Sequence, residues 1–205
     1  MRGRHILTAI IGVFIINTAN GQHRDGIEIS QAPVGFFLKK TYNALGSGTQ
    51  LSQLVQFPSL GYYHQHWIDD RYCRYQSLTY QGMHGTLLNP LGRLDSKAQV
   101  NLFNFTWGKL GYFKHREFDD DHAWFMSYAL SIGYGHLRYQ TYKQDGSGAI
   151  KDSQKVPFGQ FTLYQLGFGY EKKLSEDYQM NASAEISIGT LPNLSLHFRI
   201  MKNRF

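Results

Sequence analysis

Residues 124–134 read W-F-M-S-Y-A-L-S-I-G-Y, and this stretch constrains the fold more than any other. Trp124, Met126, Tyr128, Leu130, Ile132 and Tyr134 occupy the even positions, while Phe125, Ser127, Ala129, Ser131 and Gly133 occupy the odd ones. A strand sends alternate side chains to opposite faces. One face of this strand is therefore wholly apolar, with aromatics at both ends and aliphatics between them; the other face is mostly small. In a soluble sandwich the apolar face would meet a second sheet. In a membrane barrel it meets lipid, with aromatics at the two interfaces.

The N-terminus has the layout of an export signal. Arg2 and Arg4 form a basic start, and Leu7 to Ile16 is an apolar run too short for a usual transmembrane helix. Thr18, Ala19 and Gly21 are small residues placed where cleavage signals lie, so the expected division is a signal peptide over 1–21 and one domain over 22–205. The alternative is an uncut anchor. Cys73 is the single cysteine, which excludes an internal disulfide and any Cys-rich metal site. A mean hydropathy of −0.39 does not argue against membrane strands, because a polar lumen face takes every second residue. The net charge of +6 is spread along the chain without a dense basic tract, so acidic lipid head groups fit as partners and nucleic acid does not.

Other segments repeat the alternation. Met180, Ala182, Ala184, Ile186 and Ile188 alternate with polar residues, as do Leu194, Leu196, Phe198 and Ile200, and Tyr164, Leu166, Phe168 and Tyr170 alternate with Gln165, Gly167, Gly169 and Glu171. Phe103, Phe105, Trp107 and Phe113 share one parity, which Lys109 interrupts, leaving the outward face of that strand open. The expected strands are 34–42, 54–67, 72–84, 98–117, 123–142, 158–172, 179–188 and 194–204. Residues 34–42 have a second reading, a helix lying on the barrel, disfavoured by Pro33 and Gly35. The links 68–71, 118–122 and 173–178 are short and polar, whereas 43–53, 85–97 and 143–157 are longer. Short turns on one side and long loops on the other are a feature of bacterial outer-membrane barrels, and an even strand number puts both mature termini in the periplasm. The expected fold is all-β: a single antiparallel up-and-down transmembrane β-barrel of about eight strands.

Together, the export signal, the alternating strands, the loop asymmetry and the terminal Phe205 resemble the small eight-stranded outer-membrane β-barrel proteins of Gram-negative bacteria. The resemblance implies residence in the outer membrane. It also implies outer-membrane lipids and the barrel assembly machinery as partners, since Phe205 resembles the assembly signal of that class. Phe205 shares parity with Arg199 and Met201 rather than with Leu194, Leu196 and Ile200. A bulge near Ile200–Met201 would restore the alignment; otherwise Phe198 ends the apolar band and Phe205 is a tail.

Few residues suggest chemistry. Glu185 projects to the expected lumen, as do His197 and Arg199 from the next strand. With Glu171 they suggest a structural charge network filling the interior, since small barrels fill their lumen with side chains and an isolated buried charge is costly. A catalytic or proton-carrying dyad is the alternative. His64 and His66 share a face and are weak metal candidates that would need His84 or His115 to converge; no established ligand motif is present. Asp119, Asp120, Asp121 and His122 read as a solvated turn rather than a cation loop. His136, Asp145, Ser147 and Asp152 are the rim residues available to an enzyme, with no motif joining them. The preferred reading is a non-enzymatic envelope protein with no cofactor, acting structurally or through loops 85–97 and 143–157 on an extracellular or envelope protein partner. The alternatives are a lipid-modifying barrel enzyme and a soluble lipocalin-like ligand binder.

Overall fold

The computed structural model describes residues 22–31, 50–117, 120–145, 147–189 and 193–204. These residues form nine strands: β1 His23–Gln31, β2 Gln50–Gln56, β3 Ser59–Trp67, β4 Tyr72–Leu88, β5 Leu94–Tyr112, β6 His122–Tyr142, β7 Ile150–Lys173, β8 Tyr178–Gly189 and β9 Asn193–Arg204. Every pairing is antiparallel. The ladder runs β4-β3-β1-β9-β8-β7-β6-β5 and closes through β4–β5, a ring of eight staves. Closure leaves the belt where all eight staves pair without an edge, so backbone groups there need no water; beyond it β2 pairs only with β4, and residues 150–161 of β7 only with β6.

β2 and β3 are two halves of one stave. Both pair with β4, β2 with residues 83–88 and β3 with residues 73–80. Sequence reading gave an unbroken strand over 54–67; the break falls at Pro58, which has no N–H to donate. The preceding Phe57 N–H still donates to the Gly82 carbonyl at 3.0 Å, so the stave bends without leaving the barrel.

The first stave is also a correction. Residues 34–42 lie outside the described residues, and the place in the ring belongs to His23–Gln31, which joins β3 on one side and β9 on the other. Its alternation is legible: Ile27 and Ile29 face outward, while Arg24 and Glu28 are buried inside. The bulge entertained near Ile200–Met201 is absent, since β9 pairs with β1 from Leu196 to Arg204 without a register shift. Met201 therefore points inward and is fully buried. Phe205 and residues 1–21 lie outside the described residues.

Strand tilt follows from the register. Arg204 pairs with His23, and the row continues through His66, Arg74, Lys109, Tyr128, Leu166 and Ile186 to Leu194, ten residues back along β9. With ~3.3 Å per residue and ~4.8 Å between strands, that shift over eight staves tilts them by about 40°, the value usual for such barrels. The segment Trp124–Tyr134 then spans about 25 Å along the barrel axis, matching the apolar band of an outer-membrane barrel.

Candidate functional site

The two faces of the wall differ in chemistry. Outside, Trp124, Leu130 and Tyr134 are 51%, 48% and 59% exposed, and Ile186, Leu196, Phe168 and Trp107 stand out in the same way. The open question at β5 is thereby answered: the Phe103/Trp107 parity faces out. Inside, the wall is polar and charged. That polarity rules out the lipocalin-like alternative, which needs the apolar faces turned inward.

Two ionic clusters occupy the lumen. In the first, Arg199 lies 3.0 Å from Glu185 and 3.3 Å from Glu28, and donates to Ser183 at 3.0 Å. His197 Nδ1 lies 2.5 Å from Glu28. Gln165 donates to Glu185 as well, and Ser183 donates to it at 2.7 Å. The Arg199 guanidinium carbon sits 4.8 Å from the centre of the Tyr63 ring, itself stacked on Tyr75. In the second cluster, nearer the chain termini, Glu171 is held between Arg24 at 2.6 Å and Arg116 at 2.7 Å, and Tyr112 donates to it at 3.1 Å. Both cations lie over the Trp67 ring, at 5.2 and 5.7 Å.

Sequence reading put Glu171, Glu185, His197 and Arg199 in one interior network. The structure places all four inside the barrel but in two groups, with Glu171 in the second. Three partners escaped that reading: Arg24, Glu28 and Arg116. Arg24 and Glu28 have a signal in the Ile27/Ile29 alternation, which a first strand at 34–42 leaves out. Arg116 had none; it belongs to the turn after β5 and folds back under the barrel. The clusters join three arginines to three glutamates, with His197 beside them. Small residues make the room. A Cβ added at Gly167 would lie 2.7 Å from the Glu185 Cγ, and one at Gly108 would strike the Tyr75 ring.

The other candidates do not converge. His64 faces outward and pairs with Asp25 at 2.7 Å; His115 pairs with Asp70 at a turn, and His84 packs against Phe57. Among the described residues no three metal-ligating side chains gather. His136 packs edge-on to Tyr134. The Ser147 hydroxyl donates to Asp145 at 2.5 Å, which holds that exposed carboxyl below the usual range, and Asp152 accepts from Ser153 and Gln154. Asp119 lies outside the described residues, while Asp120 accepts from the Glu117 N–H at 2.9 Å.

Beyond the band the strands continue. The loops expected over 85–97 and 143–157 are largely strand: β4 runs to Leu88 and β5 starts at Leu94, while β6 runs to Tyr142 and β7 starts at Ile150. Both faces meet water there, so the alternation that marks a strand in sequence disappears. Gly92 and Gly148, at φ of 72° and 65°, make the backbone reversals that a side chain would strain. Asn89 Nδ2 donates to Gln144 Oε1 at 2.6 Å, and Gln144 Nε2 donates to the Leu94 carbonyl at 3.4 Å, so the two hairpin tips are tied together.

A closed ring of eight antiparallel staves with a charged interior and an apolar exterior about 25 Å tall defines a transmembrane β-barrel of the outer-membrane kind. Solved structures similar to this chain include Ail, the attachment invasion locus protein of Yersinia pestis, at 10% identity and a TM-score of 0.48, covering 91% of this chain and 100% of that one. The N-terminal β-barrel domain of Pseudomonas aeruginosa OprF is similar at 10% identity and a TM-score of 0.46, with 90% and 98% covered. The translocator domain of the autotransporter NalP from Neisseria meningitidis is similar at 8% identity and a TM-score of 0.39, with 98% and 95% covered. These are likenesses of shape. No family model and no curated protein matches the sequence.

Proposed function

We propose that the chain is a non-enzymatic outer-membrane protein whose filled barrel is a rigid stage for a polar surface platform, with both mature termini in the periplasm. The tie between the β4–β5 and β6–β7 tips through Gln144 carries this reading, because it joins two hairpins into one surface. That surface is polar: Arg93, Asp95, Gln144 and Asn89 converge on it, which suits a hydrophilic extracellular or envelope protein partner. The two ionic clusters support a plugged lumen rather than a diffusion pore, since an eight-stranded barrel is just wide enough to be filled by side chains. Export through residues 1–21 and insertion by the barrel assembly machinery belong to the same reading.

Orientation and exposure are tested by labelling intact cells. Cys73 is fully buried, so an added cysteine reports alone. Ser147→Cys is expected to react with an impermeant maleimide on intact cells. Ser175→Cys, in the turn between β7 and β8, is expected to react only after the outer membrane is permeabilised. The reverse pattern overturns the orientation. Large, steady single-channel currents from the purified barrel in a planar bilayer would overturn the plugged stage.

A further inference from the structure

Polar side chains break the apolar outer surface along two neighbouring rows, and only one of them lacks a carboxylate. Arg204, His23, His66, Arg74 and Lys109 are successive register partners across β9, β1, β3, β4 and β5. On the neighbouring row, the Asp25 carboxylate is committed to Arg204 at 2.9 Å and to His64 at 2.7 Å. Arg74 and Lys109 are direct cross-strand partners, and among the described residues neither forms an ion pair. Like charges directly opposite destabilise a sheet. The row climbs with the strand tilt, so Lys109 lies about 7 Å nearer the bilayer centre than Trp124, within the apolar band. Two unpaired cations on a face that meets hydrocarbon are costly and point to a ligand.

Beside them is an exterior groove of about 500 Å³, lined by Arg74, Lys109, Trp107, Tyr128, Leu130 and Leu163. It lies where the β6–β7 ladder shifts register between Ala129 and Ser131. Its order along the barrel matters. The cations are nearest the termini, Trp107 is two residues further toward the bilayer centre on β5, and Leu130 is two residues further than Tyr128 on β6. Lys109 Nζ rests 3.9 Å from the centre of the Tyr72 ring, on the termini side, so its charge leans toward the head-group layer.

We propose that this groove holds one glycerophospholipid with an anionic head group, drawn from the leaflet at the termini end. Its phosphate sits between Arg74 and Lys109, relieving their repulsion, and one acyl chain runs along Trp107, Leu130 and Leu163 toward the bilayer centre. Head near the termini and tail toward the centre is the direction of a lipid in that leaflet. Only the choice of leaflet rests on the orientation proposed above, and the labelling of Ser147→Cys and Ser175→Cys tests that separately.

The test is competition for the folded, detergent-solubilised chain, with bound lipid counted by native mass spectrometry. Phosphatidylglycerol, phosphatidylcholine and lipid A are supplied in equal amounts. The wild type is expected to retain phosphatidylglycerol over phosphatidylcholine by about tenfold, because the choline ammonium brings a third cation to Arg74 and Lys109 and offsets the attraction of the shared phosphate. R74Q/K109Q is expected to lose that preference, and R74K to keep most of it. K97Q/K155Q, altered at the opposite end of the barrel, is expected to match the wild type. If the double variant does not fold, R74Q and K109Q are measured singly, and each is expected to lose part of the preference. A preference for lipid A, no preference between the two phospholipids, or a preference that survives R74Q/K109Q overturns the proposal. So does a dimer that is lost with R74Q/K109Q, which would make the occupant a second copy of the chain.

Discussion

Arg199 is the residue whose loss the barrel should tolerate least, and its two carboxylate partners determine how the loss can be repaired. Its guanidinium serves Glu185 at 3.0 Å and Glu28 at 3.3 Å, and all three side chains are fully buried. Arg199→Met leaves two buried carboxylates facing each other with only His197 nearby, and breaking a buried pair this way costs about 3–5 kcal/mol. Glu185→Gln is milder, because Arg199 keeps Glu28 and the new amide oxygen can still accept; a cost of about 1–3 kcal/mol is expected. The double variant removes one carboxylate together with the cation and leaves Glu28 with its contact to His197 at 2.5 Å. Its loss should therefore fall short of the sum of the singles by ~1–3 kcal/mol, a coupling typical of residues in one network. The assay is reversible urea unfolding in phospholipid vesicles, followed by the fluorescence of Trp67, Trp107 and Trp124, with unfolding free energies compared around the cycle. Additivity within about 0.5 kcal/mol would refute the reasoning. It would mean that Arg199 and Glu185 are neighbours without being energetic partners, and the plugged lumen would lose its main support.

Three further outcomes are expected. Leu130→Arg, at the middle of the outward band, should cost about 2–4 kcal/mol in the same assay, whereas Ser131→Asn, lining a polar cavity of about 90 Å³ inside, should cost less; equal tolerance would show that the faces are wrongly assigned. Gly167→Ala should destabilise by about 1–3 kcal/mol through overpacking against Glu185 and Ser127, while Gly159→Ala, whose nearest neighbour would lie 3.9 Å away, should be near neutral; two equal unfolding midpoints would refute the packing account. The closed ring should resist dodecyl sulfate until heated and so migrate as two species on a gel. A single species at all temperatures, or recovery as a detergent-free soluble monomer, would count against a membrane barrel.

The alternation within 122–142, 178–189 and 193–204 told which side chains face lipid, because a strand in a two-faced wall repeats every second residue and lipid accepts only one kind of side chain. That alternation, with the same pattern in 164–171, put Glu171, Glu185, His197 and Arg199 on inward positions, and with the export signal and the loop asymmetry it gave the fold class; the count of eight staves held although its first strand was placed at 34–42 rather than 23–31. The pattern failed where its physical cause lapses. Outside the bilayer both faces of β6 and β7 are wet, so 150–157 looked like loop although it is strand. At Pro58 a missing donor breaks a stave that hydrophobicity leaves continuous. Only the closed tertiary structure could decide which charges meet. Glu28 and Arg199 are 171 residues apart, and Arg24 and Glu171 are 147 apart. Each pair depends on β1 closing the ring against β9 and on the tilt of the staves. Ring closure and stagger are properties of all eight staves together, so no local run of residues encodes them.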